Sequence, residues 1–214
     1  MQRQSTCLFR LCVLCTALVI LSCTQKTPLV AAIKTGETET IETLLNGGAD
    51  INQHNAKGMT PLMYAVTTRN TDVVELLIER GADVNAVTTD GFTPLMIAIN
   101  HGQTEMVKWF LQQGAKPNIE NNAGTTPLMM ASTEGSLETV KDLIEAGADI
   151  EAKSGDRMTP LFYAVGHDYD LVIKVLLGAG ANPCARDNSG KTAKEHAMLS
   201  GATRAIEILD ESCR

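Results

Sequence analysis

Histidines are the first residues to consider for chemistry, because imidazole serves both as a metal ligand and as a general base. His54, His101, His167 and His196 lie far apart and show no paired-ligand spacing such as His-Glu-x-x-His. No Ser lies in the Gly-x-Ser-x-Gly pattern of a nucleophile elbow. We therefore expect no catalytic residue, no metal site, no cofactor and no enzymatic activity.

The nine methionines suggest a different chemistry, since thioethers bind Cu(I). Three of them, Met63, Met96 and Met129, recur at one constant interval. Such a period is typical of a structural position, and Met often fills irregular gaps in protein cores. The spacing predicts core packing in preference to copper binding.

Two motifs that recur at this same interval organise the chain. A Thr-Pro-Leu motif, of which the last copy keeps only the Thr, defines six repeats. They begin at Thr27, Thr60, Thr93, Thr126, Thr159 and Thr192. A Gly-Ala pair keeps the same period at residues 48, 81, 114, 147 and 180. Two motifs that share one period of about 33 residues, with no insertion, indicate a repeat array. Positions within a repeat are counted below from its Thr as zero.

Each repeat carries the signals of two helices. Thr can cap the N–H groups of the following helix, and Pro in the first turn needs no donor. This first helix spans about positions +1 to +8 and ends at a Gly at +9. Arg69 and Asp168 replace that Gly in repeats two and five, where we expect the turns to be more strained or differently shaped. Apolar residues at +14, +17 and +18 predict a second helix that ends at the Gly-Ala pair.

Over residues 27–214 the chain resembles the ankyrin repeat family. The resemblance rests on Thr-Pro-Leu-x-x-Ala, on Gly-Ala-Asp, and on the loop residues Asn52, Asn85 and Asn118. It implies an all-α solenoid of six helix-turn-helix-loop units, each about 33 residues long. Because one unit cannot bury its own apolar stripe, stacking of units has to make the core.

The chain departs from the family pattern at a few positions. The family usually has His at +3, bonded to the neighbouring loop, whereas repeats one to five have apolar residues there. We therefore expect weaker hydrogen bonding between loops, replaced by apolar packing. Arg157 replaces a loop Gly before repeat five, so that residues 154–158 are expected to deviate. Lys194 and Glu195 make repeat six the expected polar cap of the array.

In ankyrin repeats, partners usually bind the concave face, which the loop tips and the ends of the first helices form. The resemblance implies a partner protein bound there by repeats two to five. Exposed apolar residues within a polar rim are typical of interfaces. The predicted partner-binding residues are the apolar loop-tip residues Met59, Phe92 and Met158 and the polar residues Lys57, Asp90, Asn100, His101, Thr133, Glu134 and His167.

An alternative for the three apolar loop-tip residues is that they fold down over neighbouring loops. Two other aromatic residues, Trp109 and Tyr169, have expectations of their own. Trp109, on a second helix, is expected to pack rather than to bind. Tyr169, in a short turn, is expected to be exposed at the interface edge.

Residues 1–22 have the pattern of an export leader. Arg3 and Arg10 precede an apolar run, residues 11–21, that is too short to span a bilayer. The stretch that ends at Cys23, Ile-Leu-Ser-Cys, resembles a bacterial lipobox, which implies cleavage before Cys23 and lipidation of its thiol. The alternatives are cleavage nearby by ordinary signal peptidase, a retained membrane anchor, or an intracellular protein with a chance apolar start.

Lipidation would place the protein in the periplasm. Residues 23–26 would form a short tether, and residues 27–214 would form the repeat domain. Thr24 follows the lipidated residue where Asp would favour retention in the inner membrane, so the family rule favours the outer membrane.

Charge and cysteine content narrow the choice of partners. The chain has 18 basic and 25 acidic residues, a net charge of −7 that becomes about −9 without the leader. This balance argues against nucleic acid, because phosphate binding needs a basic face. Beyond the leader and Cys23, the cysteines are Cys184 and Cys213. They could form a disulfide in an oxidising compartment, or they could be two free thiols.

The function expected from these features is that of a monomeric, non-catalytic protein-binding module in a bacterial envelope. The resemblance to small exported ankyrin proteins suggests two roles. One is an immunity protein that occludes an envelope-targeted toxin. The other is a support factor for an envelope enzyme, for example in oxidative stress. The sequence does not choose between them.

Overall fold

The computed structural model describes residues 28–210 of the chain. The predicted leader and tether, the thiols of Cys23 and Cys213, and Thr27 lie outside the described residues. Residues 28–210 form twelve helices and, apart from an isolated antiparallel bridge between Arg186 and Thr192, no β-structure. They belong to two compact units that divide between Ala49 and Asp50, and each is described by itself.

The first unit contains one helix pair, α1 (Pro28–Thr35) and α2 (Thr38–Asn46). The two helices pack against each other. Ile33 and Ile41, one from each helix, are fully buried. Repeat one therefore has the helix-turn-helix form that the sequence predicts.

The second unit contains five further helix pairs in chain order. Their helices are α3 (Pro61–Thr68), α4 (Thr71–Glu79), α5 (Pro94–Asn100), α6 (Thr104–Gln112), α7 (Pro127–Glu134), α8 (Leu137–Glu145), α9 (Pro160–Gly166), α10 (Asp170–Gly178), α11 (Ala193–Ser200) and α12 (Thr203–Asp210). Each first helix packs against its own second helix and against the first helix of the next repeat. The predicted fold class, an all-α ankyrin-repeat solenoid, is confirmed.

The core of the second unit lies between the stacked first helices. Leu62, Leu95, Leu128 and Leu161, all at position +2, are at most 1% exposed. Met63, Met96 and Met129 are fully buried beside them, as the packing interpretation predicts. Because the same positions are buried in successive repeats, the core runs continuously through the unit.

Helix caps follow the prediction in every repeat of the second unit except repeat five. The hydroxyls of Thr60, Thr93, Thr126 and Thr192 accept the N–H of the residue three further on at 3.2–3.4 Å. Thr159 makes no such bond. Its hydroxyl is buried and has no hydrogen-bond partner, so repeat five lacks the stabilisation that a side-chain cap provides.

The expectation of strained turns in repeats two and five is confirmed. Arg69 and Asp168 both have φ of 58°, in the left-handed region. Both side chains contact the next repeat. Arg69 donates to the backbone carbonyl of His101 at 2.6 Å, and the carboxylate of Asp168 accepts the N–H of Ala205 at 2.8 Å. The strained residues therefore also join neighbouring repeats.

Hydrogen bonding between loops is extensive, and its weakening relative to repeats with His at +3 stays a prediction. Four backbone bonds of 3.0–3.1 Å join successive loops: Thr89 N–H to the Lys57 carbonyl, Asn122 N–H to Asp90, Gly155 N–H to Ala123, and Asn188 N–H to Asp156. Backbone groups need no His at +3. The apolar residues that stand there leave this bonding intact because they are buried in the core.

A second ladder of bonds runs between the segments that follow the second helices. Asn85 accepts the N–H of Lys116 at 2.8 Å and donates to the Gly114 carbonyl at 3.1 Å. Asn118 makes the same pair of bonds to Asp149 and Gly147. The loop asparagines thus tie each repeat to the next.

The loop before repeat five keeps the hydrogen bonds of the other loops, so the expected deviation of residues 154–158 is wrong for their bonding. Ser154 N–H bonds the Met158 carbonyl at 3.0 Å, as the equivalent residues do elsewhere. The difference lies in strain. Arg157 has φ of 61°, a conformation for which the other four loops use Gly.

The last repeat is only partly the polar cap that the sequence predicts. Position +6 is buried in the four preceding repeats, as Val66, Ile99, Ser132 and Val165. Met198, at +6 of repeat six, is 55% exposed, and Leu199 beside it is 72% exposed. No described helix packs on that side of α11, so an internal-type surface faces solvent.

Candidate protein-binding surface

The apolar loop-tip residues are held by a fixed loop conformation. In each loop of the second unit, the residue at −5 bonds both backbone groups of the residue at −1. For Met59, its N–H donates to Asn55 Oδ1 at 3.1 Å and its carbonyl accepts the Asn55 N–H at 3.1 Å. Thr88 makes the same pair of bonds to Phe92, and Ser154 to Met158. These bonds present the three side chains from a rigid backbone.

The −5 residues are positioning residues that the sequence reasoning missed. They are Asn55, Thr88, Asn121, Ser154 and Asp187. Their signal is present in the sequence, because all five side chains are short and can accept a hydrogen bond, as turn-forming residues commonly do. Short hydrogen-bond acceptors at the same position of every repeat indicate that each loop is held by the same hydrogen bonds.

Met59, Phe92 and Met158 are each half-buried. Neither predicted alternative describes them fully, since each side chain is partly covered and partly accessible to solvent. A half-buried apolar side chain in a rigid loop can add contact area to an interface at little cost in conformational entropy.

The predicted polar residues divide into two groups. Lys57, Asp90, Asn100, Glu134 and His167 are exposed. His101 and Thr133 are half-buried, and both bond their own helices. His101 Nδ1 lies 2.9 Å from the Ile97 carbonyl, and Thr133 Oγ1 donates to the Met129 carbonyl at 2.9 Å. Five of the seven polar residues are therefore fully available to a partner.

A shallow groove of about 300 Å³ separates the loops of repeats two and three. His54, Gly58, Val87 and Thr89 are among the residues that line it. Val87 is 51% exposed, although the sequence reasoning did not select it. Its signal is its place at −6, where the other loops of the second unit carry His, Glu, Lys and Arg. The groove is a place where one side chain of a partner could insert.

Two aromatic residues complete the description of the predicted surface. Trp109 is half-buried and packs at a tilt against Phe110, with ring centroids 5.7 Å apart, as predicted. Tyr169 is also half-buried, so the expectation of an exposed ring is wrong. Its ring lies against Gly135, where an added Cβ would come within 2.7–2.8 Å of three ring atoms.

Comparison with protein families identifies the architecture. Residues 5–88 and 86–154 match the family of ankyrin repeats in three copies, and residues 156–188 match a further ankyrin repeat. The chain belongs to the ankyrin repeat family. Its ankyrin match begins at residue 5, inside the predicted leader. No curated protein matched the chain. Ankyrin repeats generally mediate protein–protein interaction and are usually non-catalytic.

In the sixth ankyrin repeat, Asp187 of the loop contacts both Ser189 of the same loop and His196 of α11. Asp187 Oδ2 lies 2.8 Å from His196 Nε2, and Ser189 Oγ donates to Asp187 at 2.8 Å. A catalytic triad requires the nucleophile to bond the His. Here both groups bond the carboxylate, and the structure gives no bond between Ser189 and His196 among the described residues. These hydrogen bonds therefore hold the loop in its conformation and do not activate Ser189 as a nucleophile.

The bond from His196 is the largest of several contacts that hold the pKa of Asp187 well below its ordinary value. Backbone N–H groups of Ser189 and Lys191 act in the same direction. A lowered pKa in the folded state means that ionised Asp187 stabilises the fold above the ordinary aspartate pKa of about 4. That stabilisation is lost as the pH falls below this value.

We expect Asp187→Asn to reduce the acid sensitivity of the sixth repeat. Asn can keep both backbone bonds, as Asn55 and Asn121 do in their loops. The measurement is hydrogen exchange or CD melting between pH 5 and pH 2, reading the wild type against the variant. The difference in stability between the two proteins should shrink as the pH falls. A constant difference over this range would contradict the prediction.

Cys184 is disulfide-bonded in the structure. Cys213, the predicted partner, lies outside the described residues, so the pairing of these two cysteines stays a prediction.

Residues 28–210 contain neither a metal-binding cluster nor a membrane-spanning helix. No group of three or more His, Cys, Asp or Glu side chains is placed there to hold a metal ion. None of the described helices has the length and apolar character to cross a bilayer.

Proposed function

We propose that the protein is a non-catalytic binding module that holds a partner protein on the concave face of ankyrin repeats two to five. The observation that carries the proposal is the column of half-buried apolar residues, Met59, Phe92 and Met158, in hydrogen-bonded loops. Exposed polar residues are predicted to lie around this column, and a groove lined by Gly58 and Thr88, among others, opens between the loops of repeats two and three. Central apolar contacts within a polar rim are the usual anatomy of a protein interface.

Rigidity supports the same proposal. The loops bond internally and to one another through the backbone, so little of the surface has to become ordered when a partner binds. Pre-organisation of this kind reduces the entropic cost of association. The family contributes the general role, and the loop geometry indicates which residues make the contact.

The test is a double substitution, Met59→Asp with Phe92→Asp. Two carboxylates within the apolar column should reduce partner capture from envelope fractions at least tenfold, since desolvation of a charge opposes binding. Leu171→Asp is the matched control, because Leu171 is 55% exposed on α10, the second helix of repeat five. CD melting of all variants confirms folding. Capture that is unchanged in the double variant, with its fold intact, would exclude this face as the interface.

We also propose that the protein is exported and tethered by a lipid on Cys23 in the periplasm, with the outer membrane favoured. The support is the basic start, the short apolar run and the lipobox-like residues before Cys23. Mass spectrometry of the mature N-terminus is the measurement. Diacylglycerol on Cys23 is expected, and an unmodified N-terminus at any other residue would refute the anchor.

The partner's chemistry decides between the two roles suggested for an envelope ankyrin protein. An immunity role requires the captured protein to be a toxin whose activity is blocked on binding. A support role requires an envelope enzyme whose activity is kept or raised on binding. Assay of the captured partner with and without this chain separates the two.

A further inference from the structure

Repeat five differs from the other ankyrin repeats of the second unit at the tip of its loop. Arg157 occupies the left-handed position, with φ of 61°, where the other four loops have Gly. A side chain in this region costs folding free energy that Gly avoids. Arg157 is exposed, and within the described residues the structure gives its guanidinium no ion pair or hydrogen bond. The fold therefore gains nothing visible from this arginine.

Repeat five also lacks a hydrogen bond that repeats two and six make. In repeat two, Asn55 Nδ2 donates to the hydroxyl of Tyr64, at +4, at 2.7 Å. In repeat six, Asp187 bonds His196, again at +4. In repeat five the −5 residue is Ser154, whose side chain accepts the Met158 N–H as in the other loops but makes no bond to the residue at +4. Its short side chain leaves the residue at +4 without this contact.

The residue at +4 of repeat five is Tyr163. It is half-buried, and its hydroxyl makes no hydrogen bond to another of residues 28–210. The contacts at +4 in repeats two and six show that this position faces the loop. The Tyr163 hydroxyl is therefore an unused hydrogen-bonding group on the loop side of α9.

His167 directly follows α9, as its C-cap residue. It lies one helical turn beyond Tyr163 in the sequence. Its imidazole is exposed and stacks on Tyr169, with ring centroids 5.6 Å apart and planes at 21°. Tyr169 in turn lies against Gly135, so the stack fixes the ring of His167. Arg157, Tyr163 and His167 are named the donor row below.

Basic residues without an ion pair lie in the loop of the donor row and in the next loop. The loops before repeats five and six carry four basic residues, Lys153, Arg157, Arg186 and Lys191, and three acidic residues, Glu151, Asp156 and Asp187. Arg186 lies 3.7 Å from Glu195, and the other three basic residues make no ion pair among residues 28–210. The loops before repeats three and four carry Asp90 and Glu120 and no basic residue. Basic side chains without an ion pair, such as that of Arg157, are suited to a local acidic ligand.

We propose that the donor row receives an acidic segment of the partner protein, with its carboxylates on Arg157, Tyr163 and His167. Guanidinium is suited to bidentate contact with a carboxylate, and the phenol and imidazole supply further donors. This inference rests on the proposed function and specifies the partner chemistry at repeat five. The left-handed Arg157 is then explained as a binding residue retained at a cost to stability.

The test uses a hexaglutamate peptide with the full chain, observed by NMR at about 50 mM salt, where surface charges are weakly screened. Hexaglutamate should shift the side-chain signals of Tyr163 and His167, and hexaglutamine and hexalysine should not. Arg157→Gly should weaken hexaglutamate binding at least fivefold while its melting temperature stays the same or rises. Tyr163→Phe should weaken it about threefold, the loss of one hydrogen bond.

Lys108→Gln is the matched control, because Lys108 is exposed on the outer helix α6 and its loss changes the net charge equally. Equal weakening by Lys108→Gln, or none by Arg157→Gly, would overturn the inference. Binding of single-stranded DNA in preference to hexaglutamate would overturn it too, since a phosphate ligand would then fit better. If binding of the partner protein is lost in the Met59 and Phe92 variant but not in the Arg157 variant, the proposed function stands and only this inference is refuted.

Discussion

Gly91→Ala is expected to destabilise the second unit by about 4 kcal/mol. Gly91 has φ of 82°, which costs energy for any residue with a Cβ. An added Cβ would also come within 2.8 Å of the Asn121 Cα and 2.9 Å of the Asn122 nitrogen. These are backbone atoms of the next loop, which cannot move without breaking the bond between Asn122 and Asp90. The energetic cost of the positive φ and the cost of the steric overlap therefore add.

Gly190→Ala is the matched control for that substitution. Gly190 has nearly the same φ, 80°, but an added Cβ would meet nothing within 4 Å. We expect a loss of about 1 kcal/mol, which is the conformational strain alone. Urea unfolding followed by CD gives both values. Equal losses in the two variants would show that close approach of the loops does not contribute.

Phe110→Ala is expected to cost about 4 kcal/mol. Phe110 is fully buried on α6, in the middle of the second unit. Its removal leaves a cavity that the stacked helices on both sides cannot close without shifting. Because the core is continuous, we expect the loss to appear in the unfolding of the whole second unit rather than of repeat three alone.

The neighbouring residue supplies the comparison. Trp109 is larger than Phe110 but only half-buried, so Trp109→Ala should cost about 2 kcal/mol, from lost area and from the aromatic contact. The readout is CD during thermal and urea unfolding, because Trp109 is the single tryptophan of the chain and its loss removes the fluorescence signal. A larger loss for Trp109→Ala than for Phe110→Ala would mean that side-chain size outweighs burial at this site.

The fold could be predicted because each repeat states the same signals. The Thr-Pro start, the apolar stripe and the Gly-Ala end agree in repeat after repeat, and a signal present several times is hard to misread. The bonding between loops could not be predicted in this way. The family pattern of His at +3 suggested weaker bonding between loops, but the loops also bond through backbone groups that no side-chain pattern reports.

The candidate surface was less predictable. A period can assign Met59, Phe92 and Met158 to one column, but it cannot say how far each is covered. Tyr169 was predicted to be exposed from its place in a short turn. Its contact, Gly135, lies in the preceding repeat and carries no side chain to signal it. Arg157 was visible as a departure from Gly. Only the backbone angles of the structure show that Arg157 keeps the loop conformation of its neighbours and is strained as a result.

The exposed methionine of repeat six bears on how such a chain can grow. Met198 occupies a position that every earlier repeat of the second unit buries, so α11 presents the chemistry of an internal junction to solvent. A further copy of the module grafted after Asp210 should dock there without redesign of the existing helices. Gene duplication could lengthen a protein of this kind one module at a time, each new end ready to accept another.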